Sequence, residues 1–235
     1  MMKKYVLRNI ERPSENLIKK LEQYDVSTVY EAQGKKGLLN YGLSPVSPES
    51  SICGPAVTVI CPAGDNLMIH AAIEVCKPGD VLVITTIGES VSGMIGELIV
   101  TALIKKGVQG VVIDAGIRDA SQIRKLGFPV WSKAIYSEGT TKVKGGWVNA
   151  RAICEGVEIN PGDLIMADDD GVVVIKKDEI EEVAELSNRR VIKEEGTKQK
   201  INDGQISLDF YGLRETLSEE KVVYYDSVNE IETEI

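Results

Sequence analysis

The stretch from Asp80 to Asp119 constrains the fold more than any other part of the chain. Asp80–Ile87 (DVLVITTI) is a nearly unbroken apolar run, the pattern of a strand covered on both faces. A glycine-rich loop, Gly88–Gly96, follows it. Next come a helical repeat from about Gly96 to Lys106, ended by Gly107, and a short apolar strand, Val111–Asp114. Strand, helix and strand at this spacing make a βαβ unit with an expected right-handed crossover. The segment closes on Arg118-Asp119, a guanidinium for a carboxylate beside a carboxylate for a metal.

Outside this unit the pattern predicts helices over Ser14–Gln23, Ser27–Gln33 and Asn66–Val75, and a strand over Gly54–Cys61. Lys35–Ser51, rich in Gly, Pro and Ser, reads as a surface connection. A short helix from Ala120 to Gly127 precedes PVWS (Pro129–Ser132). Ala134–Lys176 then alternates β runs with turns and predicts a β-rich second half. Asp168-Asp169-Asp170-Gly171 reads as a hairpin turn. Asp178 and Glu181 match a capping box for a C-terminal helix reaching about Glu195. One α/β domain over residues 1–217 with an acidic tail over 218–235 is the expected organisation.

Charge and cysteine usage narrow the function classes. With 36 acidic and 27 basic residues the net charge is −9. Such a surface repels phosphate backbones, and no Lys/Arg cluster interleaved with aromatics offsets it, so no nucleic-acid partner is expected. Cys53, Cys61, Cys76 and Cys154 lack C-x-x-C spacing and read as buried small hydrophobes in a reducing compartment. Neither a signal peptide nor a membrane span is expected: the uncharged stretch Ser51–Gly64 is too short and holds two prolines. The expected location is the cytoplasm.

Several residues can carry chemistry. Asp119 and Glu97 are hard oxygen donors suited to Mg2+ or Mn2+, which keep several waters and need only one or two protein carboxylates. Asp119 also suits capping of the helix at Ala120, and Glu97 a first helical turn favoured by the dipole. Arg118 fits either a substrate carboxylate or a structural ion pair with Asp114 or Glu97. The Gly88–Gly96 loop carries G-x-x-x-x-G, but Met94 stands where a P-loop needs lysine, and G-x-G-x-x-G is missing. What remains is a set of N–H groups at a helix start, able to hold a carboxylate or enolate oxygen. His70, the single histidine, excludes multi-histidine zinc sites and reads as a packed helix residue. No lysine stands out for Schiff-base chemistry.

The run GELIVTALIKKGVQGVVIDAGIRD, with NPGDLIMADDDGVVVI downstream, resembles the RraA-like superfamily. GPAVTV, GDNLMIHAAIEVCKPGDVLVI, LGFPVWSKAIYSEGTTK and GQISLDFYGLRETL extend the resemblance to nearly the full length. Within that superfamily the chain looks most like the class II pyruvate aldolases acting on 4-hydroxy-4-methyl-2-oxoglutarate and 4-carboxy-4-hydroxy-2-oxoadipate. The family pattern is an acidic residue, twenty residues, Arg-Asp, two residues, then Glu or Asp. Glu97, Arg118 and Asp119 match it; Gln122 stands in the last place. The resemblance implies a swivelling ββα-type α/β sandwich assembled as a homotrimer or homohexamer. It implies that Asp119 holds Mg2+ or Mn2+ directly and Glu97 through water, with Glu194 of a neighbouring subunit completing the site. Arg118 and the backbone of Gly96, Glu97, Leu98 and Ile99 would bind the pyruvyl part of a 2-oxo-acid. The implied activity is metal-dependent retro-aldol cleavage to pyruvate and a second oxo-acid. The alternatives are oxaloacetate decarboxylation at the same site and a non-catalytic, protein-binding regulator like the ribonuclease inhibitors of the superfamily.

Overall fold

The computed structural model describes residues 3–232. In the first half the elements are β1 (Tyr5–Val6), α1 (Glu15–Glu22), α2 (Val26–Ala32), β2 (Ser44–Pro45), β3 (Ile52–Pro62), α3 (Leu67–Val75), β4 (Val81–Ile87), β5 (Gly93–Ile95), α4 (Glu97–Lys105) and β6 (Gly110–Ile117). There follow α5 (Ala120–Lys125), β7 (Val130–Ile135), β8 (Trp147–Val148), β9 (Ala152–Cys154), β10 (Val157–Ile159), β11 (Leu164–Asp168), β12 (Gly171–Ile175) and α6 (Ile180–Asn202).

The centre is a parallel array in the order β3-β4-β6-β7. Because α3, α4 and α5 each connect neighbouring parallel strands, the expected βαβ unit is the middle one of three. The apolar runs of β4 and β6 bury both faces, and side chains sort strictly by parity. Leu82, Ile84, Val111 and Ile113 pack with Ile69, Val100, Leu103 and Ile123 of the helices. Val81, Val83 and Val112 join Trp131, Ile165, Val172 and Val174 on the other side. That second side is the predicted β-rich layer. There β11 and β12 form an antiparallel hairpin, and β11 pairs with the first half of β3, which thereby belongs to two sheets. Outside this hairpin lie α1, α2 and the start of α6, through Leu21, Val29, Ile180 and Val183. The result is a layered helix–sheet–sheet–helix sandwich, as the resemblance implied.

Local rules set most boundaries. In the α4 terminus the Gly107 N–H bonds Ile104 O (3.0 Å) and the Val108 N–H bonds Leu103 O (3.1 Å), a Schellman motif that requires the positive φ of Gly107 (76°). The acidic turn is the predicted hairpin, with Asp168 opposite Gly171 and the Asp170 N–H bonded to Asp168 Oδ1 (2.9 Å). Two expectations change. Lys35–Ser51 is no loose surface loop: Leu39, Leu43 and Val46 are buried, and β2 pairs with β7. Glu181 is drawn to Lys20 Nζ (2.9 Å) rather than into a capping box with Asp178.

The chain divides into two compact units between Asn188 and Arg189, within α6 and well before the 217/218 boundary drawn from sequence. The second unit holds the rest of α6, α7 (Ser207–Phe210), α8 (Leu213–Glu219) and α9 (Val228–Glu232). Neither α7 nor α8 has a buried residue; the Phe210 and Tyr211 rings meet tilted, 4.5 Å between centroids, and Lys200 Nζ lies 5.6 Å from the Phe210 ring centre. The last three residues of the acidic tail lie outside the described residues. No described helix is long and apolar enough to cross a membrane.

Candidate active site

The site forms where β6 ends and α4 begins. Arg118 continues the strand, its N–H bonded to Ile95 O (2.9 Å). Asp119 then adopts φ 58°, ψ 31°, the left-handed region that costs a non-glycine residue roughly 1–2 kcal/mol. The bend has a visible use. Asp119 occupies the N-cap position of α5, yet its side chain makes no bond to that helix. Its Oδ2 instead accepts the Glu97 N–H at 3.1 Å, so the carboxylate faces the positive end of α4. The capping alternative is therefore excluded for α5. Arg118 Nε lies 3.9 Å from the same oxygen, and neither side chain is buried (48% and 43% exposed). Asp114, the alternative partner for Arg118, is taken by Lys133 at 2.7 Å. Gly96 is what permits the approach: a Cβ there would lie 2.4 Å from Asp119 Oδ2.

These residues line a cleft of about 380 Å³ with Asn66, His70, Gly93, Met94, Gly96, Glu97, Leu98, Ile99 and Lys142. Every predicted site residue of the first unit is thus brought together. Glu194 belongs to the second unit, where it pairs with Arg190 at 2.8 Å. Gln122 is exposed on α5 and does not line the cleft. His70 corrects an expectation: it is exposed at the cleft rather than packed. Asn66 and Lys142 were missed. Asn66, a residue of the cleft lining, is buried with its Nδ2 on Met94 O (2.9 Å) and its Oδ1 unpartnered within the protein.

The segment bearing Lys142 is fixed by its neighbours. The Thr141 N–H bonds Gly64 O (2.9 Å), and the Asn66 N–H bonds Thr141 O (3.0 Å). Buried Asp65 receives the Thr141 hydroxyl (2.6 Å), the Val143 N–H (2.7 Å) and the Lys144 N–H (3.1 Å) on Oδ2, and the Leu67 N–H (3.1 Å) on Oδ1. Burial alone would raise the Asp65 pKa, but these hydrogen bonds outweigh it and hold it at about 2.

Comparison with known proteins decides the family. The sequence profile of the RraA-like family (Aldolase/RraA) matches residues 24–174, which is more than half of the chain. The chain belongs to the RraA-like family. A relative from Halalkalibacterium halodurans, provisionally named 4-hydroxy-4-methyl-2-oxoglutarate aldolase, is 32% identical over 169 residues, covering 72% of this chain and 80% of its own. The crystal structure of Streptomyces coelicolor RraAS2, described as an unusual member of the RNase ES inhibitor RraA family, superposes with a TM-score of 0.73. It is 28% identical and covers 81% of this chain and 99% of its own. An uncharacterised Pseudomonas syringae protein, 22% identical, shares the fold with a TM-score of 0.74 over 84% of this chain and 97% of its own.

The donor set at this RraA-like cleft is particular. Among the described residues no three His, Cys, Asp or Glu side chains gather to hold a metal by themselves. Glu97 and Asp119 alone suit an ion that retains most of its water, Mg2+ or Mn2+, rather than zinc. Leu98 and Ile99 add first-turn N–H groups that have no acceptor within α4.

Proposed function

We propose that this protein is a divalent-metal-dependent lyase that cleaves a 4-hydroxy-2-oxo di- or tricarboxylic acid to pyruvate and a second oxo-acid. The observation that carries this reading is the Asp119 carboxylate, turned off its own helix to the head of α4 beside Arg118. Asp119 would hold Mg2+ or Mn2+ directly and Glu97 through water. Bound there, the ion supplies Lewis-acid stabilisation to the charge that grows on the 2-oxo oxygen.

The chain's own groups supply the rest. Arg118 and the Leu98 and Ile99 N–H groups bind the carboxylate next to the oxo group. Lys142 offers a cation, and Asn66 an acceptor, to the distal carboxylate and the 4-hydroxyl. In cleavage the 4-hydroxyl loses its proton and the C3–C4 bond breaks. The electron pair moves toward the C2 carbonyl, the C4 fragment leaves as an oxo-acid, and the pyruvate enolate is protonated at C3. His70 lines the cleft and is able to move these protons. Oxaloacetate would give the same enolate by losing CO2, so decarboxylation is an expected side activity. We place the protein in the cytoplasm, in keeping with four free cysteines. As a homotrimer or homohexamer, each site would receive Glu194 from a neighbouring copy.

Pyruvate release from 4-carboxy-4-hydroxy-2-oxoadipate, 4-hydroxy-4-methyl-2-oxoglutarate and oxaloacetate, with Mg2+ or Mn2+, tests the reading. Turnover should vanish with EDTA and return with the ion. Turnover that survives EDTA, with a borohydride-trapped pyruvyl adduct on Lys142, would replace metal chemistry by Schiff-base chemistry. No turnover with any substrate would leave the regulator reading, which the likeness to RraAS2 favours.

A further inference from the structure

We propose that Asp65 is a positioning residue for the cleft, locking the segment that carries Lys142 to the start of the helix that carries Asn66 and His70. Its catalytic consequence rests on the lyase reading; its structural content does not. Three of the cleft's polar side chains come from two separate pieces of chain. Asn66 and His70 sit at the head of α3, whereas Lys142 belongs to an irregular segment between β7 and β8. Such a segment has no ladder of its own to hold it. One buried carboxylate supplies the missing restraint, gathering Thr141, Val143 and Lys144 on one oxygen and Leu67 on the other.

The bonds fall on both sides of Lys142 and leave its side chain free for the cleft. Asp65 itself does not line the cleft, so it acts only through the residues it holds. A backbone bridge between Asp65 and Thr141 completes the clasp. The carboxylate stays ionised at any ordinary assay pH, which keeps its acceptor capacity constant. A neutral amide at this point keeps a single, weaker acceptor oxygen and must turn a donor toward the Leu67 N–H or toward the other three.

The test is Asp65→Asn, alone and combined with Lys142→Ala. Amide hydrogen exchange of residues 141–144 should accelerate at least about tenfold, as the loss of hydrogen bonds to a charged group implies. KM should rise about tenfold with a smaller change in kcat, because substrate anchoring is lost rather than chemistry. In the Lys142→Ala background the Asp65→Asn penalty in KM should shrink to less than about twofold. Penalties that simply multiply would show a general structural role and overturn the proposal. Thr141→Val, which removes one bond of the clasp, repeats the cycle if Asp65→Asn does not fold. Absence of turnover in the unaltered protein would defeat the lyase reading alone. Unchanged exchange at residues 141–144 in both variants would defeat the clasp, whatever the activity.

Discussion

The two ends of the parallel sheet use an aspartate and an arginine in opposite ways. At the amino end, Asp80 before β4 is fully buried and saturated: Arg12 reaches it through Nε (2.7 Å) and Nη2 (2.9 Å), and the Lys77 N–H adds a third bond (2.7 Å). At the carboxyl end, Asp119 after β6 is about half exposed, takes one N–H, and stands 3.9 Å from Arg118. The first pair ties the N-terminal segment to the sheet, with both carboxylate oxygens bonded and closed off from solvent. The second is held by strained backbone with most of its capacity unspent. A carboxylate with spare lone pairs at a strand end is placed for a ligand; a saturated one is placed for stability.

The contrast can be broken from either side. Arg12→Ala leaves a buried charge unpaired and should cost about 3–5 kcal/mol in urea unfolding, with kcat/KM nearly unchanged. Asp119→Gly should do the reverse. Turnover falls at least about 100-fold, while relief of the left-handed strain raises stability by about 1 kcal/mol. A loss of stability in that variant would show that Asp119 is structural after all. Gly96→Ala pushes a methyl group against Asp119 Oδ2 and should lower kcat/KM about 10- to 100-fold without unfolding the protein.

Acid sharpens the comparison by adding a third carboxylate. The folded pKa of Asp65 lies below its ordinary 3.8, so its contribution to stability is complete above about pH 4 and disappears as the pH falls toward 2. Residues 141–144 should lose exchange protection in that window, and Asp65→Asn should show no such step. The smallest effect is expected from Gln122→Glu, which restores the family's carboxylate on an exposed helix position outside the cleft. Kinetic constants should stay within about twofold.

Legibility from sequence followed the range of the interactions. The βαβ unit and the Glu97, Arg118 and Asp119 set were visible because helix period, strand length and motif spacing are local. The strained bend at Asp119 was not, since nothing in Arg-Asp-Ala announces a left-handed residue. Lys142 could not be grouped with Asn66 and His70 because the bonds that bring it to them, from Asp65, Gly64 and Asn66 to Thr141 and Val143, span more than seventy residues. The connection before β3 misled for a related reason: its turn-forming residues hid Leu39 and Val46, whose partners Val172 and Val130 come much later in the chain.

The buried cysteines have a practical consequence. All four are free and inside the core, and burial pushes the thiols of Cys53, Cys61 and Cys76 up to about 12 and that of Cys154 higher still. At neutral pH the native protein is therefore nearly silent toward maleimides and iodoacetamides. A single cysteine introduced on the surface, Val143→Cys for example, would be the one site to take a fluorophore or spin label. The protein arrives with its background already removed for watching the cleft in solution.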